Sequence, residues 1–162
     1  MSRDEAAASV ALDGLRAALK GAQQAKEGVE QAVVDARHVE TTWQRIADEL
    51  GVAQPAAVRK YKPLIAQRAG VDRWSGEADR QTPAAVAVRH AREALEKAED
   101  GIVYAVAAAR SAEATWDEIA DVLGVHQPNA VAKYGPLLRT QVVVDEEALA
   151  EARERRRSRG EK

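Results

Sequence analysis

The chain has 162 residues, 46% of them apolar and 31% charged, with a net charge of −2 and a pI near 6.0. This balance suits one ordinary domain or two small ones with a real core, and it counts against a generic polyanion as partner. About one residue in five is alanine, aromatics reach only 4%, and Phe and Cys are absent, which argues against an all-β fold and removes disulfides, thiolate nucleophiles and Cys-based zinc sites.

At the N-terminus, Met1-Ser2-Arg3-Asp4-Glu5 lacks a basic stretch followed by an apolar one. No secretory signal is read there, and a cytoplasmic location is expected. No apolar run approaches the roughly 18 residues of a membrane span, so no membrane partner is expected. The first arm then repeats apolar residues at spacings of three and four: Leu12, Leu15, Leu19, Ala22, Val29, Ala32, Val33, Ala36. That spacing predicts a helix of about 30 residues, about 45 Å long. Gly14, Gly21 and Gly28 fall seven apart and predict close helix–helix contact along one stripe, with a break near Gly21 as the alternative.

The segment Thr42–Leu64, TWQRIADELGVAQPAAVRKYKPL, returns as Thr115–Leu137, TWDEIADVLGVHQPNAVAKYGPL. Trp43 recurs as Trp116, an offset of 73 residues, and 16 of the 23 aligned positions are identical. The chain is a tandem duplication. Within each copy, Trp43, Ile46, Ala47 and Leu50 (Trp116, Ile119, Ala120 and Leu123) mark one face of a short helix. Thr42 and Thr115 stand at the cap position, and Glu118 completes a capping box in the second copy alone. Gly51 or Gly124 ends the helix, Val52 or Val125 is expected to tuck under, and a second helix starts at Gln54-Pro55 or Gln127-Pro128. The small Ala47 and Ala120 allow that helix a close approach. These features describe a helix-turn-helix.

Between the copies, Gly70–Thr82 reads as a linker, and Pro83 suits the first turn of the next helix. The second arm repeats the apolar spacing through Leu95, Ala98, Ile102, Ala105, Val106, Ala109 and Ala112. At the far end, Asp145 reads as the cap of a basic helix that carries Arg153, Arg155, Arg156, Arg157 and Arg159. The expected architecture is all-α: two tandem helix-turn-helix modules, each preceded by a long helical arm, plus the C-terminal basic helix. The expected divisions are 1–69, a linker at 70–82, 83–140, and a tail at 141–162.

The repeated block resembles bacterial tri-helical helix-turn-helix modules of the form TWxxIAxxLGVxQPxAVxKY, over about 23 residues in each copy. The resemblance implies DNA binding through the second helix, although such modules also dock proteins. Helical steps of 100° place Ala57, Tyr61 and Leu64 on the buried side and Pro55, Arg59 and Lys62 opposite, with Val58 at the edge. Gln54, Lys60 and Arg45 complete the first set of DNA-binding candidates. In the second copy the outward positions hold Pro128, Ala132 and Gly135, with Val131 at the edge. Only His126, Gln127, Asn129 and Lys133 remain there as polar candidates.

Local charge points the same way. Arg37 to Arg68 holds six basic residues against three acids, and Arg110 to Arg139 three against four. Trp43, Trp116, Tyr61 and Tyr134 fall at core spacings. His38, His90 and His126 are scattered singly, so no metal and no cofactor is expected. No phosphate loop or catalytic constellation stands out, and no enzyme is read. The expected function is sequence-specific binding of double-stranded DNA by a transcriptional regulator, a monomer or homodimer. Its two modules would act as a covalent pseudo-dimer with the first the stronger reader. The alternative is a scaffold whose modules, the second above all, dock a protein partner.

Overall fold

The apolar spacing of the first arm produces one uninterrupted helix, α1, over Arg3–His38. At 1.5 Å per residue it is about 54 Å long. The computed structural model describes residues 3–69 and 82–138, which are helical apart from short turns and caps. After α1 come α2 (Trp43–Leu50), α3 (Gln54–Ala69), α4 (Pro83–Ser111), α5 (Trp116–Leu123) and α6, over 127–138, the last helix among the described residues. No strand occurs among the described residues. No helix there is long and apolar enough to cross a membrane. Most of the linker, the Asp145 cap and the Arg153–Arg159 cluster lie outside the described residues.

The glycines of α1 do not mark a contact stripe, and the helix does not break at Gly21. A Cβ added at Gly14, Gly21 or Gly28 meets nothing within 4 Å. They are therefore only a backbone-entropy cost, and each Gly→Ala change should stabilise the protein by about 0.5–1 kcal/mol. Urea midpoints of the three single variants check this; a lower midpoint would mean that the helix surface is occupied. At the end of each arm the opposite mismatch occurs. Glu40 and Glu113 take the left-handed conformation, at φ 60° and 65°, where glycine closes helices most easily.

Contacts gather the chain into two compact units that cut across the order of the repeats: Ala18–Asp100, and Met1–Ala17 with Gly101–Lys162. In the first, Val29, Val33, Val34 and Ala36 of α1 pack with Ile46, Ala47 and Leu50 of α2 and with Ala57, Tyr61 and Ile65 of α3. Val88 of α4 completes this core, with Ala84, Ala91 and Leu95 laid against it. The Thr82 hydroxyl accepts from the Ala85 N–H at 3.1 Å, capping α4 directly ahead of Pro83, and lies 3.1 Å from the Thr41 hydroxyl.

In the second unit, Leu12 and Leu15 of α1, Val106 and Ala109 of α4, Ala114, Ile119 and Ala120, and Ala130 and Tyr134 of α6 are buried. The burial pattern repeats at the offset of 73 even where identity has gone. Leu12 and Leu15 correspond to Ala85 and Val88, and Val33 and Ala36 to Val106 and Ala109. In each unit, then, the first half of one arm covers the block that follows the other arm. The duplication extends through the arms.

Candidate nucleic-acid interface

Each repeated block begins with a capped helix of eight residues. Thr42 accepts from the Arg45 N–H at 3.2 Å. Thr115 accepts from the Glu118 N–H at 3.3 Å, while the Glu118 carboxylate accepts from the Thr115 N–H at 2.7 Å, closing the capping box. That backbone N–H, first of all, holds the Glu118 carboxyl below its ordinary pKa.

Gly51 and Gly124 end these helices at φ 67° and 66°, the left-handed region that glycine enters without strain. The Val52 N–H donates to the Ala47 carbonyl at 3.0 Å, and Val125 to Ala120 at 3.1 Å. Those bonds satisfy the helix end with backbone alone. Val52 and Val125 do not tuck under; they stay 46% and 44% exposed because the turn aims their side chains outward.

The second helix of each block starts at Gln54 or at residue 127, as the Gln-Pro pair predicts. Ala57 and Tyr61 are buried and Leu64 half-buried, and Ile65 joins them one step beyond the face read from sequence. Opposite lie Pro55, Arg59 and Lys62, all exposed, with Val58 half-buried at the edge and Gln54 exposed at the helix start. Lys60 is exposed, with its ammonium 5.0 Å from the Tyr61 ring centre. The helix contains no acid, and neither Arg59 nor Lys62 forms an ion pair among the described residues.

Arg45 does not belong to this face. It sits on α2 with its guanidinium 2.9 Å from Glu49. Glu49 is buried and also receives two hydrogen bonds from Arg89 of α4, at 2.6 and 3.1 Å. The Arg89 bonds above all, and then the nearby positive charges, hold the Glu49 carboxyl below its usual pKa; Glu49 in turn raises that of Arg89. Arg68 is likewise occupied, 3.3 Å from Glu30. Arg37 is buried, donates to the Thr41 carbonyl at 2.6 Å, and stacks 5.2 Å from the centre of Trp43.

Arg110 repeats that strap on the Ala114 carbonyl and Trp116. Both tryptophans are half-buried under a guanidinium, and Trp43 packs against the core of the first block. The match of Arg37 with Arg110 was visible in the sequence; the carbonyl each one holds was not.

On α6, Ala130 and Tyr134 are buried, and Pro128, Asn129 and Ala132 are exposed opposite them. His126 and Gln127 are exposed at its start, and Lys133 lies 5.1 Å from the Tyr134 ring centre. Val131 and Leu137 are 38% and 45% exposed, and Gly135 is half-buried. This face is uncharged apart from Lys133 at its side. The two blocks thus present one basic and one nearly neutral surface on the same backbone design. No group of three metal-ligating side chains is assembled among the described residues. Comparison with protein-family models, with curated proteins and with solved structures finds no match to the chain.

Proposed function

We propose that the chain is a sequence-reading DNA-binding protein acting as a transcriptional regulator, its two repeated blocks serving as helix-turn-helix modules in one polypeptide. The outward face of α3 carries this reading. Arg59 and Lys62 stand exposed and form no ion pair among the described residues, with Val58 at the edge of their face and Gln54 at the helix start, on an acid-free helix whose other side is fixed by Ala57, Tyr61 and Ile65. Free cations supply phosphate affinity, and amide and apolar groups at a helix start read base edges.

The covalent link replaces the dimerisation by which such modules usually reach two half-sites about 34 Å apart. The first block dominates, and tethering raises the effective concentration of the second once the first is seated.

Arg59→Ala and Lys62→Ala should leave the fold intact, since neither side chain is buried. Each lost phosphate contact should reduce the slope of log K against log salt by about 1, whereas a lost base contact should cost about 1–3 kcal/mol at one position. Titration of labelled duplexes at several salt concentrations separates the two. Unchanged binding by the double variant would remove the first block as reader. A second reading, docking of a protein by α6, is favoured by the uncharged surface around Val131, Ala132 and Leu137. It takes the lead if the whole chain prefers no sequence over bulk DNA.

A further inference from the structure

The duplication makes the outward faces of α3 and α6 an internal comparison. Both copies occupy the same place in the same fold, so what differs between them is free to differ. Arg59 and Lys62 became Ala132 and Gly135, and Ala56 became Asn129. Gln54 and Val58 remain as Gln127 and Val131.

The packing does not require the glutamines: Gln54 and Gln127 are exposed and form no hydrogen bond among the described residues. The valine is half-buried at position 58 and 38% exposed at position 131, so it keeps an outward edge in both copies. Glutamine and valine stand four residues apart, one above the other along the first turn of each helix.

A glutamine amide matches the adenine edge, donating to N7 and accepting from the N6 amine, and an apolar side chain beside it suits the thymine methyl. Asn129 adds a second group of the adenine-reading type in the copy that has Ala132 and Gly135 in place of Arg59 and Lys62. We infer that both blocks read an A·T step, Gln54 and Gln127 on adenine and Val58 and Val131 on a thymine methyl. On this inference, which rests on the DNA-binding reading above, Arg59 and Lys62 only anchor the first block to the backbone. The two half-sites are then alike in sequence and unlike in affinity.

The test uses the full chain and a random duplex pool, selected near 150 mM salt. The expected product is a site with two halves sharing an A·T step. Replacing its adenine by 7-deazaadenine, which lacks the N7 acceptor, should weaken binding roughly 5- to 150-fold in the first half. Gln54→Ala should show no such loss. Uracil for thymine, which removes only the methyl group, should weaken the wild type and not Val58→Ala. Gln127→Ala and Val131→Ala should repeat the pattern in the other half.

If a specific site is enriched but its halves share no A·T step, or 7-deazaadenine is neutral, this inference fails while the DNA-binding reading stands. If no sequence is enriched, both fail.

Discussion

A fragment of residues 1–73 should fail to hold the fold of the first block, whereas residues 18–100 should fold alone. The core of that block is closed by α4: Val88 is fully buried in it, and Ala84, Ala91 and Leu95 pack against it. Cutting before Pro83 removes all four and takes Arg89 from the buried Glu49. Burying one valine fully is worth about 1.5–3 kcal/mol, and the partly buried leucine and alanines add a similar amount. The loss is on the order of 5 kcal/mol, comparable to the whole stability of a small domain. Urea titration followed by far-UV circular dichroism should show a cooperative transition for residues 18–100 and none for 1–73. A cooperative transition for 1–73 near the same midpoint would show that α4 is dispensable to the block. DNA binding by the isolated first block is therefore properly measured on residues 18–100.

The helical content, both long arms, the Thr42 and Thr115 caps, the left-handed Gly51 and Gly124 and the start of α4 at Pro83 were all legible in the sequence. Each rests on local chemistry that a few neighbouring residues decide. The sharing of arms was not legible. Leu12 and Leu15, or Ala85 and Val88, announce an apolar stripe, but nothing in a stripe of small aliphatic residues says which copy of the block it will cover. The glycines of α1 misled for the same reason: a seven-residue spacing fixes a face, not its occupant, and the space at Gly14, Gly21 and Gly28 is open.

On the candidate interface, the helical wheel placed Ala57 and Tyr61 inward and Arg59 and Lys62 outward, as observed. What counting charges could not reveal is how many cations are already occupied. Of the six basic residues from Arg37 to Arg68, Arg37 holds a carbonyl, Arg45 holds Glu49 and Arg68 holds Glu30. The three on the middle of α3 remain. The basic surplus of the first block is thus concentrated on one helix, a more directed arrangement than its sum suggests.

Glu49→Gln should destabilise the protein at neutral pH by about 2 kcal/mol, and the difference should vanish in acid. The carboxylate is 6% exposed and lies between two guanidinium groups, Arg45 and Arg89. Its neutral isostere turns an amide N–H toward one of them and leaves a charge-assisted bond unmade, a loss of about 1.5–3 kcal/mol. Because the folded pKa of Glu49 is lowered, the stability it contributes is fully present above the unfolded value near 4.3. It is lost as pH falls from there through the lower folded value. Other carboxylates titrate in the same range, so the quantity to measure is the difference between wild type and Glu49→Gln, from urea midpoints between pH 7 and pH 2.5. That difference should be constant above pH 5 and shrink steadily below it. Arg89→Ala should also destabilise the protein at pH 7 and shift the decline of Glu49 to higher pH, since the donor chiefly responsible for the lowered pKa is gone. The second copy offers a control: Val122 stands where Glu49 does and Glu118 where Arg45 does. Val122→Ala should therefore destabilise without any change in the acid profile. A pH-independent gap between Glu49→Gln and wild type would mean that the carboxylate is not held ionised by Arg89 and that α4 is joined to α2 by apolar packing alone.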